Sequence, residues 1–186
     1  MKTKIISTIV CILGIVASSY AQSSKNLVLG ESKVVALGTS NTHDWEGDVK
    51  KMSGDASITI EDNQIKSIES LQVTMEVNSM ESGKGSLDSN MHKTMNAKKH
   101  PKMTYKLTSA SVDANGKVTA KGQLTINGTT KDITLNPVAS LAGDKVTFKG
   151  ETTFNMSAYG VEPPSLMFGA IKVEDEVKIE MNVVFN

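Results

Sequence analysis

The sequence predicts an all-β protein of antiparallel strands, on three observations. Apolar and polar residues alternate with period two over long stretches, the mark of strands with one buried face. Turn-forming pairs, Asn127-Gly128 above all, fall between these runs. Only one short stretch carries helical spacing. The apolar face of such strands needs cover, so the choice lies between a two-sheet sandwich and a sheet closed on itself. Long strands joined by hairpins favour an up-and-down barrel.

Lys2 and Lys4 precede an almost wholly apolar run from Ile5 to Val16, followed by Ala17, Ser18, Ser19, Tyr20 and Ala21. This predicts a cleaved secretory signal peptide over residues 1–21, too short to span a bilayer as a permanent helix. Residues 22–186 then form a single domain. Irregular strand patterns near 33–39 and 55–60 open the sheet. Leu71, Val73, Met75 and Val77 alternate with Gln72, Thr74, Glu76 and Asn78; Met103, Tyr105 and Leu107 alternate with Lys102, Thr104 and Lys106. Between these two runs Leu87, Met91 and Met95 recur at i, i+4, i+8 with Pro101 beyond, which predicts one short amphipathic helix near residues 88–97.

Val118, Ala120, Gly122, Leu124 and Ile126 share one face of the next strand. Asn127-Gly128 then reads as a two-residue hairpin turn, since both residues tolerate positive φ. Asn115-Gly116 and Gly143-Asp144 read as further turns. Val146, Phe148, Gly150, Thr152, Phe154 and Met156 alternate with polar residues, as do Val177, Ile179, Met181, Val183 and Phe185.

Composition narrows the function. The chain of 186 residues carries 20 cations, all Lys, against 20 acids. Removing residues 1–21 leaves 18 Lys against 20 acids, a slight negative charge. Near-neutrality without Arg argues against nucleic-acid binding. The single Cys, Cys11, lies in the predicted signal, so neither disulfides nor a cysteine metal cluster stabilise the domain. No nucleophile elbow, P-loop or dinucleotide fingerprint is present. Asp88, His92 and His100 lie near one another in sequence but without a zinc-ligand spacing, and surface histidines beside Lys93, Lys98 and Lys99 explain them. Glu174-Asp175-Glu176 reads as a solvated turn. No cofactor, metal or catalytic residue is predicted.

One stretch carries a family resemblance: Gly122-Gln-Leu124-Thr125-Ile126-Asn-Gly128-Thr-Thr130-Lys131 resembles the G-x-L-T-I-x-G-x-T-K signature of the YceI-like family. His100-Pro101-Lys-Met103-Thr-Tyr105 resembles that family's helix-to-strand segment. Gly38-Thr39-Ser40-Asn-Thr-His43-Asp-Trp45 resembles its opening, and Tyr159-Gly160-Val161 its aromatic–Gly turn. The resemblance covers roughly residues 27–186. It implies a lipocalin-like antiparallel barrel of eight strands, outside the cytoplasm, whose lumen holds a long lipid chain such as a polyisoprenoid. Members often carry an Arg shortly before the aromatic–Gly turn; Asn155 and Met156 stand in that region here.

Inward parity nominates a lumen lining of Met75, Met103, Tyr105, Leu107, Leu124, Phe148, Phe154, Met156, Met181 and Phe185. Small inward residues, Ala120, Gly122, Gly150 and Thr152, leave space among them. Methionine's unbranched, polarizable side chain suits a variable apolar ligand, and it equally suits an aromatic-poor filled core. His43 and Trp45 are candidates for the rim. The partner expected is a lipid with an isoprenoid or fatty-acyl chain, with neither nucleic acid nor an integral membrane span. A homodimer is left open, as is periplasmic retention against release. Two rival functions stand beside the carrier: a closed-core interaction module of the cell envelope, and a weak hydrolase or metal protein using His43 or His92.

Overall fold

The computed structural model describes residues 22–186; the predicted signal segment 1–21 lies outside the described residues. Fourteen strands and one α-helix follow in order: β1 (Gln22–Asn26), β2 (Lys33–Thr39), β3 (Asp44–Val49), β4 (Met52–Glu61), β5 (Gln64–Glu76), β6 (Met80–Glu81), α1 (Gly85–Thr94), β7 (Lys102–Val112), β8 (Val118–Ile126), β9 (Thr129–Leu135), β10 (Val138–Ala142), β11 (Lys145–Asn155), β12 (Ser165–Leu166), β13 (Ile171–Lys172) and β14 (Glu176–Phe185). One six-stranded sheet runs β1-β4-β5-β7-β8-β9, a second runs β10-β11-β14-β2-β3-β6, and β12–β13 form a separate hairpin. Every neighbouring pair is antiparallel.

The all-β antiparallel class stands, with the strands divided between two six-stranded sheets and a short hairpin. The reason lies in how the long strands bend. Between β3 and β4 only Lys50 and Lys51 intervene, and there the chain leaves the second sheet for the first. Its neighbour bends in step, β5 passing to β6 through the 3-10 turn Val77–Ser79. Ser79 pins this corner: its carbonyl accepts from Lys50 N at 3.0 Å and its Oγ from Lys51 N at 2.9 Å. The sheets touch again where Leu27 bridges Phe185 and where Lys117 bridges Val138. The two sheets are thus joined at their corners by bent segments and isolated bridges.

Period two survives in the burial. On β8, Val118, Ala120, Gly122, Leu124 and Ile126 are buried, while Thr119, Lys121 and Gln123 are exposed. These apolar faces, with those of the opposite sheet, make one hydrophobic cluster between the sheets. Asn127 and Gly128 both take left-handed φ, 49° and 75°, and link β8 to β9 as their sequence requires. Asp62 and Asn63, at φ 48° and 58°, do the same between β4 and β5 without a glycine; Asp and Asn are the other residues that tolerate this region.

The helix is displaced about one turn towards the N-terminus of its expected place, Gly85–Thr94 instead of 88–97. Two side-chain preferences set its ends. Asp88, in the first turn, accepts hydrogen bonds from Ser82 N at 2.7 Å and Ser82 Oγ at 2.5 Å, holding the incoming chain against a helix end that favours negative charge. Past the other end Asn96 adopts φ 51°, the left-handed stop often supplied there by Gly or Asn. Pro101 therefore lies beyond the terminus and does not define it. Among the described residues, no helix is long and apolar enough to cross a membrane.

Candidate functional site: an apolar cavity between the sheets

The inner faces of the two sheets do not fill the space they enclose. A cavity of about 230 Å³ remains between them, walled by both sheets, by α1 and by residues of the β12–β13 hairpin. About 10–15 Å³ measured this way admits one water, so the space is many times that of a packing defect. All ten residues nominated by parity, Met75, Met103, Tyr105, Leu107, Leu124, Phe148, Phe154, Met156, Met181 and Phe185, lie on its wall. Inward parity is thus legible from sequence.

The two ends of the cavity differ. At one, Phe148 and Phe185 meet edge to face with ring centroids 6.0 Å apart. Phe185, Val146 and Val118 are all but fully buried there, which seals that end. At the other, Phe154 and Tyr159 form a second edge-to-face pair at 5.1 Å. Near this pair Tyr159, Val161 and Met156 are buried, while Thr152, Phe154, Leu87, Met95 and Leu166 are half-buried. The cavity therefore approaches solvent beside α1 and the β12–β13 hairpin.

Among the described residues the wall carries no Asp, Glu, Lys or His. Its phenols stay neutral, because burial pushes the Tyr105 hydroxyl up to about 12 and raises that of Tyr159. Seven methionines line it, Met80, Met91 and Met95 joining the four nominated. Such a surface can hold an apolar body by burial and dispersion.

Not every small inward residue creates room. A side chain at Gly122 would meet the Lys106 carbonyl at 2.6 Å and the Tyr105 ring at 2.7 Å, and one at Gly150 would meet Pro137 at 2.9 Å. Tyr105 and Pro137 already fill those positions. Ala120 and Thr152 do face the cavity.

The rim candidates part company. His43 is exposed in the β2–β3 turn, its Nδ1 2.9 Å from Thr42 Oγ1, and does not reach the cavity. Trp45 does. It pairs directly with Gly38 across β2 and β3, and its indole lies over that glycine so closely that a Cβ there would fall 2.5 Å from Cε2. Its Nε1 is the one buried side-chain nitrogen or oxygen without a hydrogen-bond partner among the described residues. The other histidines are apart: His92 Nε2 is 2.9 Å from the Met80 carbonyl, and His100 packs under the Asn127-Gly128 turn. Among the described residues no group of three His, Cys, Asp or Glu could hold a metal ion.

Sequence reasoning missed the wall contributed by the loops. Pro164, Leu166 and Val173 close over the cavity, and Asn41 ties their hairpin down through Nδ2 to the Ala170 carbonyl at 3.0 Å and Oδ1 from Lys172 N at 2.9 Å. At the hairpin tip Met167 and Phe168 stand in solvent at left-handed φ of 51° and 57°. Strands of two residues leave too little alternation to read, although Pro163-Pro164 does signal a break.

Comparison with known proteins agrees with this architecture. A family model described as YceI-like domain matches residues 26–185. BcnA of Burkholderia cenocepacia is 24% identical with a TM-score of 0.73, over 85% of this chain and 98% of that one. A polyisoprenoid binding domain from Saccharophagus degradans, implicated in plant cell wall breakdown, is 14% identical with a TM-score of 0.68, over 89% and 99%. The YCEI protein of Campylobacter jejuni is 23% identical with a TM-score of 0.57, over 74% and 82%. At these identities the likeness is one of fold. None of the curated proteins compared matches the chain.

Proposed function

This chain belongs to the YceI-like family, and from that premise we propose that it binds a long apolar lipid chain, of isoprenoid or fatty-acyl type, in the cavity between its sheets. It acts as an extracytoplasmic carrier or store, not as an enzyme. The observation that carries this reading is the cavity wall itself, free of charge, rich in methionine and partly half-buried beside α1 and the β12–β13 hairpin. A similar fold in a polyisoprenoid binding domain supports it, and the predicted signal over residues 1–21 supports a site outside the cytoplasm.

The energetics define what such a protein does. Moving ten methylenes from water into the cavity gains roughly 8 kcal/mol before association costs of several kcal/mol. Drawing the same chain from a bilayer gains almost nothing, since it already lies in hydrocarbon. The protein is thus suited to lipid that is dispersed or handed over by a partner, and it holds that lipid apart from water.

Trp45 is the only tryptophan and lies on the wall, so ligand entry has a built-in reporter. Titrating detergent-free protein with geranylgeraniol and with hexadecanoate should give a saturable change in its emission with at least one of them. No uptake of either chain, by emission or by equilibrium dialysis, would overturn the reading.

A further inference from the structure

The indole of Trp45 carries the one buried polar atom of the wall left without a partner among the described residues. Its Nε1 is buried and no protein acceptor lies within reach, and an unmade hydrogen bond of this kind is costly in a folded protein. The pose is built in. Gly38, directly opposite on β2, has no side chain, and any Cβ there would collide with the indole. The ring is thereby laid along the inner face of the sheet, at the β2–β3 end of the cavity. The other polar side chains nearest the helix, Asn90 and Thr94, are half-buried on α1 and reach water. Trp45 does not.

Resting on the lipid-binding reading above, we propose that the Trp45 N–H is the polar anchor of the cavity and donates a hydrogen bond to an uncharged oxygen on the lipid. The ligand class is then a long chain bearing an alcohol, ester or ketone oxygen, in preference to a bare hydrocarbon. A carboxylate or phosphate buried at this point is disfavoured, because no cation lines the wall and an unpaired buried anion loses its hydration without compensation. An indole N–H is a donor only, so it selects for an acceptor and gives nothing to a ligand without one.

The test uses the full domain and two probes of equal chain length, hexadecan-1-ol and hexadecane. With one tryptophan in the chain, a nitrogen-15 correlation spectrum contains one indole N–H signal, and no variant is needed to observe the anchor. Hexadecan-1-ol should move that signal downfield and slow its exchange with water, while hexadecane leaves its hydrogen bonding unchanged. Trp45→Phe should then weaken hexadecan-1-ol by about 2- to 12-fold more than it weakens hexadecane, the range of one net hydrogen bond, since the smaller ring takes wall area from both probes alike. Both probes binding with the indole signal unmoved overturns the anchor and leaves the lipid-binding reading intact. Failure of both probes to bind overturns the two together.

Discussion

Thr152 offers the most direct way to fill the cavity without disturbing the walls. It sits on β11 opposite Ile179 of β14, half-buried, with its side chain on the cavity surface. Thr152→Phe adds roughly four heavy atoms to the enclosed space and so displaces about four methylenes of any bound chain, at ~0.8 kcal/mol each. The loss of about 3 kcal/mol corresponds to roughly a 200-fold fall in affinity. Relaxation of the flexible methionines would reduce that figure. Thr152→Val, close in shape, should bind as the parent does. The assay is the Trp45 emission titration with geranylgeraniol, beside thermal unfolding of each variant, because overpacking costs up to about 3 kcal/mol of stability. A Thr152→Phe protein that folds and binds with unchanged affinity would refute the placement of the ligand between the sheets.

Three further outcomes follow from local geometry. Gly122→Ala should lose about 1–3 kcal/mol in chemical denaturation, since its Cβ meets the Lys106 carbonyl and the Tyr105 ring; unchanged stability would show that Tyr105 does not occupy this space. Phe185→Ala, which removes a fully buried ring and its partner contact with Phe148, should cost about 3–5 kcal/mol in the same assay. Hydrogen bonds from the Ser82 side chain and then its backbone hold the Asp88 carboxyl below the usual carboxylate range. Its contribution is therefore complete above that range and lost as pH falls through the lowered value. The difference in Tm between the parent and Asp88→Asn should narrow from about pH 6 to about pH 2; a constant difference would count against the Ser82 clamp.

Legibility from sequence tracked the length of each periodic run. β8, β11 and β14 alternate over nine to eleven residues, and their bounds agree with expectation to within a residue. β6, β12 and β13 have two residues each and carry no period, so the hairpin that closes over the cavity was invisible. The bend at Lys50–Lys51 was equally hidden, because its cause is a pair of long-range hydrogen bonds that Lys50 N and Lys51 N donate to Ser79. Parity placed all ten nominated side chains on the cavity wall. It could not say which inward glycines were vacant, since Gly122 is filled by a ring from β7 and Gly150 by Pro137. Nor could it separate His43 from Trp45: they differ by two residues and lie on strand parity together, yet the turn carries His43 into solvent.

The proposed function stands or falls on lipid in the cavity. Its most direct test is to purify residues 22–186 without detergent and to weigh the intact particle by native mass spectrometry, then identify the adduct in an organic extract. A stoichiometric adduct with a long isoprenoid or fatty-acyl chain, carrying an uncharged oxygen, is expected, together with its absence after Thr152→Phe. A particle at the bare polypeptide mass that also refuses added geranylgeraniol, hexadecan-1-ol and hexadecanoate would contradict it.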